Sequence, residues 1–118
     1  ARAPGMKYRH YAPQAKVLLC PAQQLYETYC QHYQRMIESG IEQPKIAVLA
    51  TMQGLTGLAQ AEYCFLLGEN LFQVAQNLFA ALRWTDDIQA DLVLAEAFPE
   101  QGVGIAIMNR LKKAAGMN

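Results

Sequence analysis

The side chains best suited to chemistry are concentrated near the start of the 118-residue chain, in residues 4–13. This segment contains two fixed cations, a histidine and two tyrosines, and it has no acidic residue. Its chemically active side chains are Lys7, Tyr8, Arg9, His10 and Tyr11. Because they offer charge-assisted donors and stacking faces, they suit a phosphorylated or nucleotide-like ligand better than a core. A solvated basic linker is the alternative, and composition alone favours it.

The backbone of this segment is constrained by Pro4 and Pro13, with Gly5 between them. Each proline biases the residue before it toward extended backbone, and the glycine permits a turn. The segment has almost no aliphatic side chains, so it cannot form a core of its own. We therefore expect an extended arm over residues 1–15, followed by one globular domain over residues 16–118.

The rest of the chain contains no pattern typical of an active site. The only serine, Ser39, lies at a predicted helix end, and no cysteine has a plausible base beside it. The adjacent carboxylates of Asp86 and Asp87 could indicate a metal or acid–base pair. A turn is the better interpretation, because neither a third oxygen ligand nor a histidine is nearby. We expect the chain to be catalytically inactive alone, with no metal or cofactor of its own.

Composition excludes several classes of protein. A hydrophobic content of 53% excludes a disordered chain. No apolar run approaches the ~20 residues that span a bilayer. An odd number of cysteines with no Cys-x-x-Cys pair predicts reduced, mostly buried thiols in a cytoplasmic protein. The first residues do not read as a signal peptide, because no hydrophobic region precedes the basic arm, and the missing initiator methionine predicts a fragment of a longer protein.

Charge is distributed unevenly although the formal net charge is zero. The chain has four basic residues and no acid up to Tyr26, whereas the remainder has six basic and ten acidic residues. The arm is therefore basic and the body acidic. Because wrapping of tRNA or DNA needs a cationic face, we expect no direct nucleic-acid binding by the body.

Hydrophobic periodicity predicts alternating strands and helices. Strands are expected at 16–20, 45–51, 61–67 and 91–95, and helices at 23–39, 70–84 and 105–115. The second strand is continuously apolar and should be central, whereas the third should lie toward an edge. The aromatic stripe of the first helix should belong to the core. This order predicts a three-layer, Rossmann-like α/β domain with a mainly parallel sheet of about four strands and helices on its faces.

Three segments carry a resemblance to a known family. They are Pro-Gly-Met-Lys-Tyr-Arg-His-Tyr-Ala-Pro at 4–13, Asn-Leu-Phe-Ala-Ala-Leu-Arg at 77–83, and Gly-Val-Gly-Ile-Ala-Ile-Met-Asn-Arg-Leu at 102–111. The first resembles the interdomain linker of the Sua5-type threonylcarbamoyl-AMP synthases, and the others resemble later signatures of their C-terminal Sua5 domain. Arg2-Ala3 departs slightly from the family pattern, and the YrdC-type catalytic domain that precedes the linker is absent from this sequence.

This resemblance implies a function for the whole enzyme and a smaller one for this chain. The enzyme would convert ATP, L-threonine and bicarbonate, with Mg²⁺, into threonylcarbamoyl-AMP and pyrophosphate, toward the t6A modification of tRNA. ATP and Mg²⁺ would bind the absent catalytic domain, which is the chain's expected partner. The linker would close over the catalytic pocket, with Lys7, Arg9 and His10 as donors to substrate oxygens and with Tyr8 and Tyr11 as packing or hydrogen-bonding closures.

Two alternatives remain open. The chain could be a docking domain for the catalytic domain or for downstream tRNA-modification proteins, with Asn109 and Arg110 of the last helix as its interface. A solvent-facing helix would explain that pair equally well. The chain could also bind a small ligand in a crevice at the strand ends near Gly54 and Gly104. The loop at Gly54 lacks the spacing of phosphate-binding loops, so a phosphate site there is disfavoured.

Overall fold

A computed structural model describes residues 11–58 and 61–117 of the chain. It shows four strands, three α-helices and one short 3-10 helix in that part of the sequence. The strands are β1 (Val17–Pro21), β2 (Ile46–Ala50), β3 (Tyr63–Leu66) and β4 (Leu92–Ala97). The helices are α1 (Leu25–Glu38), α2 (Leu71–Asp87) and α3 (Val103–Ala114), and the 3-10 helix is Ala22–Gln24.

The strands form one parallel sheet in the order β1-β4-β2-β3. β4 pairs with β1 on one side and with β2 on the other, and β3 pairs with β2 alone. Every residue of β2 is buried, whereas β3 is at most half-buried. The predicted α/β class, the parallel sheet, the central second strand and the edge position of the third are therefore confirmed.

Helices cover the sheet on both faces, because successive side chains of a strand point to opposite sides. In β4, Val93 and Ala95 belong to a core shared with α2 and α3. The alternate residues Leu92 and Leu94 belong to a second core on the other face, which contains Leu25 of α1. The domain therefore has three layers, with the sheet in the middle.

α2 begins as the sequence predicts and ends later. Asn70 is its N-cap, and the Asn70 side chain accepts a hydrogen bond from the N–H of Gln73 at 2.9 Å. The helix continues through Asp86 and Asp87, which the sequence had placed in a turn, and that interpretation was wrong. Helical bonding persists to the C-cap Ile88, whose N–H donates to the carbonyl oxygen of Trp84 at 3.0 Å. Gln89 then adopts a positive φ of 56° and ends the helix.

α1 buries less of its apolar stripe than the sequence predicts. Only Leu25 of this helix is fully buried, while Tyr33 is 36% exposed and Ile37 is 38% exposed. The reason is that the connection between β2 and β3 also covers this face of the sheet and contributes Leu58 to the same core. Of the predicted stripe, Tyr29 and Met36 are half-buried and pack against this core, whereas the core assignment was wrong for Tyr33 and Ile37. Tyr33 instead stacks on Tyr29, with 5.9 Å between the ring centroids.

α3 is amphipathic as predicted, with Ile107, Met108 and Leu111 buried. It begins at Val103, two residues before the expected start. Gly104 permits this, because a Cβ at that position would overlap the carbonyl oxygen of Pro99. Within residues 11–58 and 61–117, no helix is both long and apolar enough to cross a membrane.

Candidate functional site

The structure describes one of the five arm residues that were predicted to contact substrate. Lys7, Tyr8, Arg9 and His10 lie outside the described residues. Tyr11 is described and is partly buried against the core that contains α2 and α3. The structure therefore shows the end of the arm that joins the domain, from Tyr11 onward.

Tyr11 is held by α2 through its hydroxyl and its ring. The Tyr11 hydroxyl donates a hydrogen bond to Oδ2 of Asp86. The ring packs edge-on against Phe79, with 5.5 Å between the ring centroids. The other carboxylate oxygen of Asp86, Oδ1, accepts a hydrogen bond from the backbone N–H of Gln14 at 2.9 Å. Asp86 thus binds the arm at two points, and we call Tyr11, Gln14, Phe79 and Asp86 the arm anchor.

The electrostatics of the arm anchor keep the Tyr11 hydroxyl protonated. Desolvation, followed by the hydrogen bond to Asp86 and the charge of Asp86, raises the pKa of Tyr11 to about 12. Arg83 opposes this shift of the Tyr11 pKa. Its guanidinium lies 5.9 Å from the centre of the Phe79 ring. The phenol is therefore a donor to Asp86 at all physiological pH values.

The arm anchor lies at the edge of the sheet where the strands begin. Asp86 is in the last turn of α2, which leads into β4, and Gln14 is three residues before β1. The starts of the strands are joined there by hydrogen bonds from the Val93 N–H to the Lys16 carbonyl and from the Asp91 N–H to the Lys45 carbonyl. The carboxylates that looked like turn residues in the sequence therefore lie where the arm enters the domain.

The predicted interface pair lies elsewhere on the surface. Asn109 and Arg110 are both exposed on the outer side of α3. Neither forms a hydrogen bond or an ion pair with another residue in the described part of the chain. Their position fits a solvent-facing helix as well as an interface, so both alternatives stay open.

At the opposite edge, where the strands end, lies a cavity that we call the carboxyl-edge crevice. Its lining includes Thr51, Gly68, Leu71, Glu96 and Phe98. The sequence suggested a crevice near Gly54 and Gly104; neither glycine lines the cavity, but Gln53 and Pro99 from the adjoining loops do. Sequence reasoning assigned no role to Glu96, which the extension of β4 to Ala97 brings to this edge. An acidic residue that ends a buried apolar run is the signal that could have identified it.

Glu96 occupies the space left by Gly54. A Cβ at Gly54 would overlap Oε1 of Glu96. The same Oε1 accepts hydrogen bonds from the backbone N–H and the hydroxyl of Thr51, at 2.9 and 2.8 Å. A carboxylate beside this glycine loop repels phosphate, so the geometry agrees with the low expectation for a phosphate site there.

The remaining reactive side chains form no further site. The three cysteines are free, as predicted, but Cys30 is exposed, so the prediction of mostly buried thiols holds for Cys20 and only partly for Cys64. Burial raises the pKa of the Cys20 and Cys64 thiols. His32 is half-buried, and desolvation together with Arg35 lowers its pKa. Among the residues that the structure describes, no three His, Cys, Asp or Glu side chains are grouped to hold a metal.

Comparison with known proteins gives consistent matches along the chain. Residues 1–116 match the family model of the C-terminal domain of threonylcarbamoyl-AMP synthase. The threonylcarbamoyl-AMP synthase of Pyrococcus abyssi is 40% identical over 121 aligned positions, covering 98% of this chain and 32% of the relative. That of Bacillus subtilis is 39% identical over 116 positions, covering 97% of this chain and 32% of the relative.

Solved structures agree with these matches. The crystal structure of P. abyssi Sua5 complexed with L-threonine superposes with a TM-score of 0.74 at 40% identity, over 98% of this chain and 32% of that one. The C-terminal Sua5 domain of a hypothetical Sua5 protein from Pyrococcus horikoshii superposes with a TM-score of 0.60 at 33% identity. That match covers 86% of this chain and 93% of the isolated domain.

Proposed function

The chain belongs to the family of threonylcarbamoyl-AMP synthase C-terminal domains, and we propose that it anchors the linker that closes the catalytic pocket of such a synthase. The chain spans about a third of the length of the relatives that it matches. The reaction of the whole enzyme, from ATP, L-threonine and bicarbonate to threonylcarbamoyl-AMP and pyrophosphate, is part of this proposal. ATP and Mg²⁺ would bind in the catalytic domain.

The observation that carries the proposal is the arm anchor. Tyr11 belongs to the linker motif at 4–13, and Phe79 belongs to the helical motif at 77–83, and the two side chains are in direct contact. Asp86 adds a hydrogen bond from the Tyr11 hydroxyl and one from the Gln14 backbone. The domain therefore restrains the end of the linker that is attached to it.

Fixing one end of the linker lowers the entropic cost of closing it as a lid. A linker that is fixed at one end samples fewer conformations, so closing it over a pocket costs less conformational entropy. A closed lid would exclude water from a labile carbamate or adenylate and would control product release. In this proposal Lys7, Arg9 and His10 donate hydrogen bonds to substrate oxygens, Tyr8 packs over the pocket, and Tyr11 joins the lid to the domain.

The test uses the full-length synthase and measures pyrophosphate release at limiting ATP and L-threonine. The variants Tyr11→Phe and Asp86→Asn weaken the arm anchor, and His10→Ala removes a proposed substrate contact. We expect all three to lower the rate, whereas Glu42→Gln, a change on an exposed loop residue, should leave it unchanged. Wild-type kinetics in the His10 and Asp86 variants would exclude the lid role.

A docking domain is the second candidate, and the exposed face of α1 favours it. Tyr26 is 53% exposed on this helix, and Tyr33 and Ile37 are also partly exposed. Apolar side chains of this size are common at protein interfaces. Adding the isolated chain to a purified catalytic domain separates the two functions, because stimulation of activity supports the lid and binding without stimulation supports docking. Loss of that binding in Tyr33→Ser, but not in Arg110→Ala, would assign the interface to α1 and not to α3.

A further inference from the structure

The carboxyl-edge crevice is large enough for a small organic molecule. Its volume is about 840 Å³. Ligand pockets in proteins commonly measure about 300–1,000 Å³. The walls come from the residues that follow each of the four strands, and α2 begins beside it. Crevices at this end of a parallel sheet are the usual ligand sites of α/β proteins.

The chemistry of the crevice centres on Glu96, which is only 5% exposed. Its Oε1 accepts both hydrogen bonds from Thr51, so the carboxylate is held in one orientation. Its Oε2 accepts no hydrogen bond from residues 11–58 and 61–117, and within the same residues the only ion pair joins Lys112 to Glu100. Because the residue is mostly buried, its carboxylate is only partly solvated, and a cation bound in the crevice would stabilise the negative charge.

The lining of the crevice selects the charge of its ligand. Among the described residues, its lining has two carboxylates, Glu69 and Glu96, and no lysine, arginine or histidine. Most of the other lining side chains are apolar, including Met52, Leu71 and Phe98. Phosphate is disfavoured even though α2 starts here, because none of the described lining residues is a cation that could accompany the helix N–H groups. The lining therefore suits a positively charged group on an apolar body.

We propose that the carboxyl-edge crevice binds a small organic amine, whose ammonium group donates a hydrogen bond to Oε2 of Glu96 and whose apolar body lies against Leu71 and Phe98. The site is separate from the arm anchor, which is at the opposite edge of the sheet. It also does not depend on the lid function, so either proposal can fail without the other.

The experiment is an NMR titration of the 118-residue chain with three probes of the same shape. The three probes are phenethylamine, 2-phenylethanol and 3-phenylpropanoate, which differ in charge. Two further amines, n-butylamine and cyclohexylamine, differ from phenethylamine in the apolar body. We expect saturable amide shifts at Thr51, Gly68 and Phe98 with the amines at millimolar concentration. Both probes can donate a hydrogen bond to the carboxylate, but only the ammonium adds a charge–charge attraction, so the amine should bind about tenfold more tightly than the alcohol. Equal binding of amine and alcohol, preferred binding of the carboxylate, or no amine shift would each overturn the proposal.

Three substitutions test whether the charge of the crevice determines the preference for amines. Glu96→Gln keeps the shape and the acceptor for Thr51 while removing the charge, so it should abolish the preference for amine over alcohol. Met52→Lys adds a cation at an exposed position of the lining and should weaken amine binding several-fold, whereas Met52→Gln should not. The Met52 pair remains informative if Glu96→Gln fails to fold. An unchanged amine preference in Glu96→Gln, or equal affinities in the two Met52 variants, would contradict the assignment.

Discussion

The hydroxyl of Tyr11 donates a hydrogen bond to the side chain of Asp86, which lies 75 residues further along the chain. This contact joins the basic arm to the last turn of α2, at the edge where the strands of the sheet begin. It fixes the end of the linker motif at 4–13 to the globular domain, together with the hydrogen bond from the Gln14 N–H to the same carboxylate.

The first prediction concerns the strength of this contact. Tyr11→Phe should lower the free energy of unfolding by about 1 kcal/mol, because the acceptor on Asp86 loses its donor. Asp86→Ala should cost more, because it also removes the acceptor of the Gln14 N–H. In a double-mutant cycle measured by urea denaturation, the two changes should be less than additive, since both remove the bond between Tyr11 and Asp86. Strict additivity would show that the bond does not contribute to stability.

The second prediction follows from the Tyr11 pKa, which rises from its ordinary value of 10.0 to about 12 in the folded chain. The folded state therefore retains a proton that the unfolded state releases first. The stabilisation is fully present below pH ~10 and is lost as the pH rises toward ~12. The difference in unfolding free energy between wild type and Tyr11→Phe should thus shrink between about pH 10 and pH 12. A constant difference over that range would contradict the raised pKa, and the comparison with the Phe variant cancels the titration of the other tyrosines.

The third prediction concerns Gly104 at the start of α3. A helix normally gains about 1 kcal/mol when alanine replaces glycine. Here the added Cβ would overlap the backbone oxygen of Pro99, which cannot rotate away as a side chain could. Gly104→Ala should therefore lower the free energy of unfolding by about 1 kcal/mol or more. The exposed Ala106→Gly on the same helix should cost about 1 kcal/mol through propensity alone. Stabilisation by Gly104→Ala would show that the overlap is relieved at no cost.

The fourth prediction separates the two halves of α1. Leu25 is fully buried, so Leu25→Ala should cost about 2–5 kcal/mol by leaving a cavity. Ile37 lies on the same predicted stripe but is 38% exposed, so Ile37→Ala should cost at most about 1 kcal/mol. Thermal or urea unfolding of both variants measures the difference. Equal losses would mean that the stripe is core throughout, as its periodicity alone predicts.

Local patterns were sufficient for the elements and their layering. The alternation of apolar runs and amphipathic helices depends on neighbouring residues, so it predicted the four strands and three α-helices of the described residues and their mainly parallel sheet. The continuous apolar run of β2 indicated its central position because burial on both faces excludes polar side chains. The linker motif at 4–13 was recognisable for a similar reason, since its prolines and its charges are consecutive in the sequence.

Only the tertiary structure decided which distant residues meet. Nothing local pairs Tyr11 with Asp86, and local propensity placed Asp86 in a turn because two adjacent aspartates are typical of turns. The same holds for Glu96. Its carboxylate is positioned by hydrogen bonds from Thr51 and by the space at Gly54, both in the segment that follows β2. It also holds for Ile37, which periodicity assigned to the core. Leu58, from the connection between β2 and β3, belongs to that core, and Ile37 stays partly exposed. Periodicity records which face of an element is apolar, whereas the packing of the whole chain determines how much of that face is covered.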